Sequence, residues 1–241
     1  MGIINTELSF STTELNWIAI SVGIVVIFLT INVVFVLKAL KLERWQIRKI
    51  GHMILNTIVA FFPLFFANIL DIFITLAIAI GILLILSAIP QIRIFQRIFI
   101  LCSRQEDNPW ELFINAVLMG TTMILILWFF RTDVYVFTAA YLTVSLGDGL
   151  GEMIGRPYGK IKYKIFAEKS LEGSLGVLVG TCIGVVVGLA IGSLLLVPGT
   201  WWKIIVITLV GVIVEALSYI FLDNLTLPAS IAVCIYLLFL I

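Results

Sequence analysis

This chain lacks most of what a water-soluble protein or a metal enzyme displays. Charged residues make up only 12% of its 241 positions, too few to cover a surface facing water. Hydrophobic residues reach 62%, where a soluble domain sits near roughly half. A single histidine, His52, excludes a His-rich metal centre. Three cysteines, Cys102, Cys182 and Cys234, show no metal-ligand spacing, and the last two lie inside apolar segments as small hydrophobes. A net charge of +1 gives no reason to expect a nucleic-acid partner. Alternating apolar and polar runs are missing, which argues against a transmembrane β-barrel. A secretory signal is not expected either, because Glu7 and Glu14 stand where a basic region would.

What is present is a series of continuous apolar runs, at about 17–37, 50–67, 69–89, 112–130, 134–147, 172–197, 204–222 and 226–241. A helix crosses a bilayer with about 20 apolar residues, or 17 at the short end. The expected fold is therefore all-α: a polytopic membrane protein with about eight transmembrane helices, seven being the alternative count. Residues 1–241 form one integral membrane domain in this reading, with a non-membrane segment at 1–16 and a polar active-site segment at 148–170.

Basic residues set the expected orientation. Lys38, Lys41, Arg44, Arg48 and Lys49 fall between the first two runs, Arg93, Arg97 and Arg104 between the third and fourth, and Arg156, Lys160, Lys162, Lys164 and Lys169 between the fifth and sixth. Only Arg131 and Lys203 of the 15 basic residues fall elsewhere. These loops alternate, so they share one side, and the positive-inside rule makes it the cytoplasm. An even span count then puts both termini outside.

The charge-dense stretch Gly147–Ser174 is where chemistry is expected. Gly147, Gly151, Gly155 and Gly159 recur every four residues and bare one helix face for close approach. Asp148 and Glu152 are one turn apart on a neighbouring face, and two such carboxylates could hold Mg²⁺ or simply be solvated. Pro157 argues against a continuous helix here. Ser170 is placed to cap the next helix, with Gly173 where a capping box would carry an acid. Free N–H groups at that helix start suit a phosphate, and Lys169 beside it supplies a point charge, although no Walker A spacing exists. Gly176, Gly180, Gly184, Gly188 and Gly192 then form a packing stripe that would fix Lys169 and Glu172 in place.

Glu215 sits within the seventh apolar run, where a carboxylate needs a partner, a proton or a polar cavity. On a continuous helix Glu215, Tyr219 and Asp223 share a face. Asn224 and Pro228 read as a turn between two spans. Arg48, Lys49 and His52 cluster at the start of the second run, where they could bind phosphate or pair with the acids of the polar segment.

Taken in order, Arg48-Lys49-x-x-His52, Gly147-Asp148 with Gly155 and Gly159, Lys169-Ser170-x-Glu172-Gly173-Ser174, Glu215, and Asp223-Asn224-Leu225-Thr226-Leu227-Pro228 resemble the polyprenol kinase family of dolichol, phytol and farnesol kinases. The resemblance runs from about Glu43 to the C-terminus. It implies transfer of the terminal phosphoryl group of a nucleoside triphosphate, CTP in much of the family, to an isoprenoid alcohol, with Mg²⁺ as cofactor. It implies a nucleotide and metal site at Asp148 and Lys169-Ser170-x-Glu172-Gly173, with Glu215, Asp223 and Asn224 as further site residues. Asp148, Glu215 and Asp223 are the metal candidates, and Glu215 is the preferred acceptor of the alcohol's proton. Glu152 departs from the family pattern, which has small apolar residues there.

Two other functions compete. A CDP-lipid synthase also uses CTP and Mg²⁺, but its proline and paired lysines before Glu-Gly are replaced here by Ala167-Glu168-Lys169-Ser170-Leu171. A transporter would also use glycine-broken spans and an intramembrane acid, yet no inverted repeat is visible.

Overall fold

The computed structural model describes the backbone of residues 7–88, 109–218 and 223–241, and the side chains of 7–82, 118–218 and 224–241. Cys102, Arg93, Arg97, Arg104, Tyr219 and the side chain of Asp223 lie outside the described residues. The fold is helical. In chain order it comprises α1 (Trp17–Ala39), α2 (Arg44–Phe61), α3 (Ile69–Ala88), α4 (Pro109–Phe129), α5 (Val134–Leu142), a π-helical turn (Thr143–Asp148), α6 (Gly149–Tyr158), a ribbon of β1 (Lys162–Lys164) and β2 (Glu168–Ser170), α7 (Leu171–Ile191), α8 (Thr200–Leu217) and α9 (Asp223–Ile235) with a closing π turn.

This is not the expected eight-span bundle. Among the described residues three helices are long and apolar enough to cross a bilayer: α1, α7 and α8. They make the chain a multi-pass membrane protein. Two of the other apolar runs differ from a span for physical reasons. Helix α2 carries Arg44, Arg48, Lys49 and His52 in its first nine positions. The run at 134–147 is enclosed by protein and passes through a π turn into α6, whose N-cap Asp148 and residues Glu152 and Arg156 are charged. Ile69–Ile82, Leu118–Phe129 and Asn224–Leu240 are shorter apolar helical stretches among the described residues.

Helix α5 is instead the centre of the molecule. All nine of its residues are buried, Val134, Phe137, Ala139 and Ala140 completely. A helix apolar on every side has no solvent or lipid face and must be enclosed. Helices α2, α7 and α9 pack around it.

Helix α7 fits so closely against the α5–π–α6 rod because two bare stripes mesh. A Cβ on Gly176 would stand 2.7 Å from the carbonyl oxygen of Leu150, and one on Gly151 2.7 Å from Cγ2 of Val177. Only glycine allows backbones this near. The rod continues through Pro157 to Tyr158, contrary to the expected break. Proline is tolerated there because the helix ends one residue later, where Gly159 closes the turn by donating to the Gly155 carbonyl.

Candidate functional site

The site forms where α6, the ribbon, the start of α7 and the end of α8 meet. Ser170 caps α7 as expected, its hydroxyl accepting the Gly173 N–H at 3.1 Å. The antiparallel ribbon pairs Tyr163 with Lys169 and Lys164 with Glu168. Its return strand delivers Lys169 to the helix start. Three contacts hold the ribbon and Ile161 before it against α7: the Tyr163 and Ser174 hydroxyls at 2.7 Å, the Ile161 N–H donating to Glu172 at 3.3 Å, and the Leu171 N–H donating to the Ile161 carbonyl at 3.0 Å.

These elements enclose a cleft of about 410 Å³, walled by Asp148, Glu152, Lys169, Ser170, Ser174 and Glu215 among others. Gly155 and Gly173 form its bare floor, with Cα of Gly173 3.0 Å from where a Gly155 Cβ would be. Stretches far apart in the chain therefore converge on one polar cavity.

Helix α8 ends at Leu217, so Glu215 lies in its last turn, at the cleft, rather than deep in an apolar span. The face that Glu215, Tyr219 and Asp223 were expected to share involves Tyr219 and the Asp223 side chain, which lie outside the described residues. Lys169 Nζ contacts Glu215 Oε1 at 2.5 Å and donates to its main-chain carbonyl as well. A cation at a helix C-terminus also meets the negative end of the dipole. Asn224 and Pro228, expected in a turn, are in α9, and Asn224 is buried.

Arg48, Lys49 and His52 approach from α2 but take no part in the cleft wall. Arg48 and Lys49 form ion pairs with the acids of the polar segment. Lys49 Nζ lies 2.7 Å from Asp148 Oδ2 and 3.1 Å from Glu152 Oε2, and Arg48 Nη2 lies 2.6 Å from Glu152 Oε1. Lys49 is 3% exposed, a buried ammonium facing two carboxylates. Burial alone would lower its pKa; the charges and hydrogen bonds of Asp148 and Glu152 outweigh it and raise the pKa. Burial would likewise raise both carboxylates, and here Lys49 leads the opposing effect, with His52 and Arg48 helping at Asp148 and Arg48 at Glu152; both end below their ordinary range. His52 Nε2 is 3.9 Å from Asp148, beyond hydrogen-bonding reach. Burial and then the Lys49 charge push His52 down to about 4. At neutral pH it can therefore offer a phosphate a hydrogen bond but no charge.

Glu172 and Gly159 support the cleft from behind: Glu172 holds the ribbon, and Gly159 leaves room for the Ser170 hydroxyl. Arg156 and Ser218 were not anticipated as wall residues. Arg156 sits 3.6 Å from Glu152 one turn away and 4.9 Å over the Trp45 ring. Its i,i+4 spacing from Glu152 was a readable signal; Ser218, just past the end of α8, gave none.

Of the three metal candidates, Asp148 and Glu215 are described, and the side chain of Asp223 lies outside the described residues. Among the described residues no three His, Cys, Asp or Glu side chains converge as ligands would. Asp148, Glu152 and Glu215 are each already matched to a protein cation. Compared with family models, curated proteins and solved structures, the chain matches none. The family resemblance thus stands on its motifs alone.

Proposed function

We propose that this protein is a membrane lipid kinase that moves the terminal phosphoryl group of a nucleoside triphosphate, CTP by resemblance, onto the hydroxyl of an isoprenoid alcohol. One observation carries the reading: Asp148, the Lys169–Ser174 helix start and Glu215 line a single polar cleft beside membrane-crossing helices. Phosphoryl transfer needs positioning and charge more than covalent chemistry. A capped helix start presents N–H groups to phosphate oxygens. Lys169 then exchanges Glu215 for the incoming phosphate, and the released Glu215 carboxylate takes the alcohol's proton. The alcohol oxygen bonds to the γ-phosphorus, the bridge to the β-phosphate breaks, and the nucleoside diphosphate leaves. Mg²⁺ enters only as the counter-ion that the nucleotide carries. Arg156 and Lys162 add positive charge at the cleft's rim.

The cleft faces the cytoplasm in this proposal, because Arg48, Lys49, Arg156, Lys160, Lys162, Lys164 and Lys169 cluster on its side and nucleotides are soluble there. The placement of both termini on the far side depended on an even span count and is not carried over. Partners are the nucleotide, the alcohol and surrounding lipids.

The test is label transfer from γ-labelled CTP to farnesol, geranylgeraniol, phytol or dolichol in detergent-solubilised protein. A labelled lipid phosphate is the expected result. Release of pyrophosphate with CMP joined to a phospholipid would replace the kinase by a cytidylyltransferase. Neither product, with solute flux in proteoliposomes, would leave a transporter.

A further inference from the structure

The β1–β2 ribbon ends in a bare apolar turn. Ile165 and Phe166 at its tip are 53% and 59% exposed, and Ile161, just before β1, is exposed as well. Lys160, Lys162 and Lys164 alternate with Ile161 and Tyr163, and all three lysines are exposed. Two paired strands of three residues are too short to be stable alone. The ribbon is fixed at its base, through Tyr163 to Ser174 and through the Ile161 carbonyl to the Leu171 N–H. Adjacent exposed apolar side chains rimmed by lysines mark a contact surface.

The anchoring shows where the tip stands. Ser174 lies one turn inside α7, a membrane-crossing helix. Its contact with Tyr163 lays the ribbon against the first turn of that span rather than out in water. Leu171, Leu175, Val179 and Ile183 recur every four residues on α7 and are all exposed, so they form its lipid-facing stripe. Ile161 is hydrogen-bonded to Leu171, the first residue of that stripe, so the apolar surface of the ribbon continues the apolar surface of the span. Lys169, on the return strand, reaches Glu215 in the last turn of α8, whose Ile213 and Leu217 are also exposed. The ribbon therefore lies at the ends of two spans, on the boundary of hydrocarbon and water. There apolar side chains enter the acyl layer while lysine stems carry their ammonium groups to the headgroups.

Charge selects the lipid. From Lys160 to Glu168 the segment holds three lysines and one acid, Glu168. Lys162 takes up that acid at 3.4 Å. Glu172, at the base, accepts the Ile161 N–H and lies in the field of Lys160. Lys164 is next to the tip in the chain. Positive charge in excess beside an apolar tip matches a headgroup phosphate that no choline neutralises.

We propose that the ribbon binds anionic phospholipid in the leaflet beside the cleft: Ile165 and Phe166 enter the acyl layer, and Lys164, with Lys160 behind it, contacts the headgroup phosphate. The inference rests on the membrane-crossing helices and not on the kinase reading. It bears on the cleft, because Lys162, Glu168 and Lys169 of the same ribbon belong to the cleft wall. A lipid held at the tip steadies the strand that carries Lys169.

Photo-crosslinking of the unmodified protein in phosphatidylcholine nanodiscs tests this without relying on turnover. The probes are phosphatidylglycerol and phosphatidylcholine, each carrying a diazirine on an acyl carbon near the glycerol and supplied at equal trace amounts. Phosphatidylglycerol should label residues 160–168 about tenfold more strongly than phosphatidylcholine. Unlabelled phosphatidylglycerol should compete, inorganic phosphate should not, and added salt should narrow the difference. Lys160→Gln/Lys164→Gln should bring the two lipids level while phosphatidylcholine still labels the ribbon, because the apolar tip is untouched. Equal labelling by both lipids in the unmodified protein would overturn the anionic site. So would labelling confined to α1, α7 and α8, with the ribbon cross-linked instead to a second copy of the chain. Competition by inorganic phosphate would reassign the lysines to a soluble anion. A preference that survives the double variant would refute the roles of Lys160 and Lys164.

Discussion

Replacing Lys49 by Met gives the sharpest test of how this site is held. The side chain is nearly isosteric, so volume is kept while the ammonium is lost. Asp148 then loses its contact at 2.7 Å, and Glu152 loses one at 3.1 Å while keeping Arg48 at 2.6 Å. Asp148 and Glu152 are only 18% and 21% exposed, so water replaces little of the lost interaction. Removing one partner of a buried pair costs about 3–5 kcal/mol. The retained Arg48–Glu152 contact argues for the low end, about 3 kcal/mol. For a chain of this size that lowers the unfolding temperature by roughly 6–12 °C. The sign with pH is fixed as well. In the unaltered protein both carboxylates have depressed pKa values, so their stabilisation is full above the unfolded carboxylate range and is lost as pH falls through the folded values. In Lys49→Met the orphaned carboxylates are raised instead, so the gap to the unaltered protein should narrow as pH drops from 7 to 5. Lys49→Met/Asp148→Asn should recover much of the loss, since the cycle isolates the pair. Thermal unfolding in detergent reads all three proteins. An unchanged midpoint in Lys49→Met, or no recovery in the double variant, would refute the buried ion pair.

Lys169→Ala should reduce phosphoryl transfer far more than Lys162→Ala, because Lys169 is fixed at the capped helix start while Lys162 is half exposed on the ribbon and pairs with Glu168 at 3.4 Å; equal losses would mean a diffuse charge effect. Gly176→Val should cost several kcal/mol of stability, since its Cβ meets the Leu150 carbonyl and backbone must move, and the measurement is again the unfolding midpoint. Asn56→Leu should raise that midpoint, because a fully buried amide without partners is replaced by hydrocarbon of similar size, whereas a drop would reveal a polar contact in the resting protein.

The sequence made the cleft more legible than the fold. Ser170, Gly173 and the two glycine stripes could be read because capping and close packing are local rules of spacing, and the structure places them as those rules require. The span count could not. A run such as 134–147 is equally apolar whether it faces lipid or protein, and hydropathy does not distinguish the two. Helix α5 is apolar because protein surrounds it on all sides. The end of α8 at Leu217 was similarly hidden, since Tyr219 to Leu222 remain apolar after the helix has stopped, and that stop is what moves Glu215 to the cleft. The ion pairs between α2 and α6 join residues about 100 positions apart, at a separation of 99 for Lys49 and Asp148. Matching the sign of two clusters suggested such pairing, but only tertiary packing could bring them together.

That pairing bears on how a charged ligand could enter a site so close to lipid. An unpaired lysine or carboxylate there would carry a large desolvation cost. The cleft avoids it by matching Lys169 with Glu215, and Asp148 with Lys49, before any ligand arrives. Binding an anion at Lys169 is then an exchange of one acceptor for another, in which the new contact must only exceed the old one. The two pairs differ in what exchange would cost. Lys169 is 17% exposed and lies on the cleft wall, where an incoming oxygen can reach it. Lys49 is 4% exposed in its side chain, faces two carboxylates at once and takes no part in that wall. The geometry therefore assigns exchange to Lys169 and permanence to Lys49. It also explains why the two lysines, equally basic in the sequence, are expected to fail in different ways: one by losing turnover in a folded protein, the other by losing the fold around Asp148.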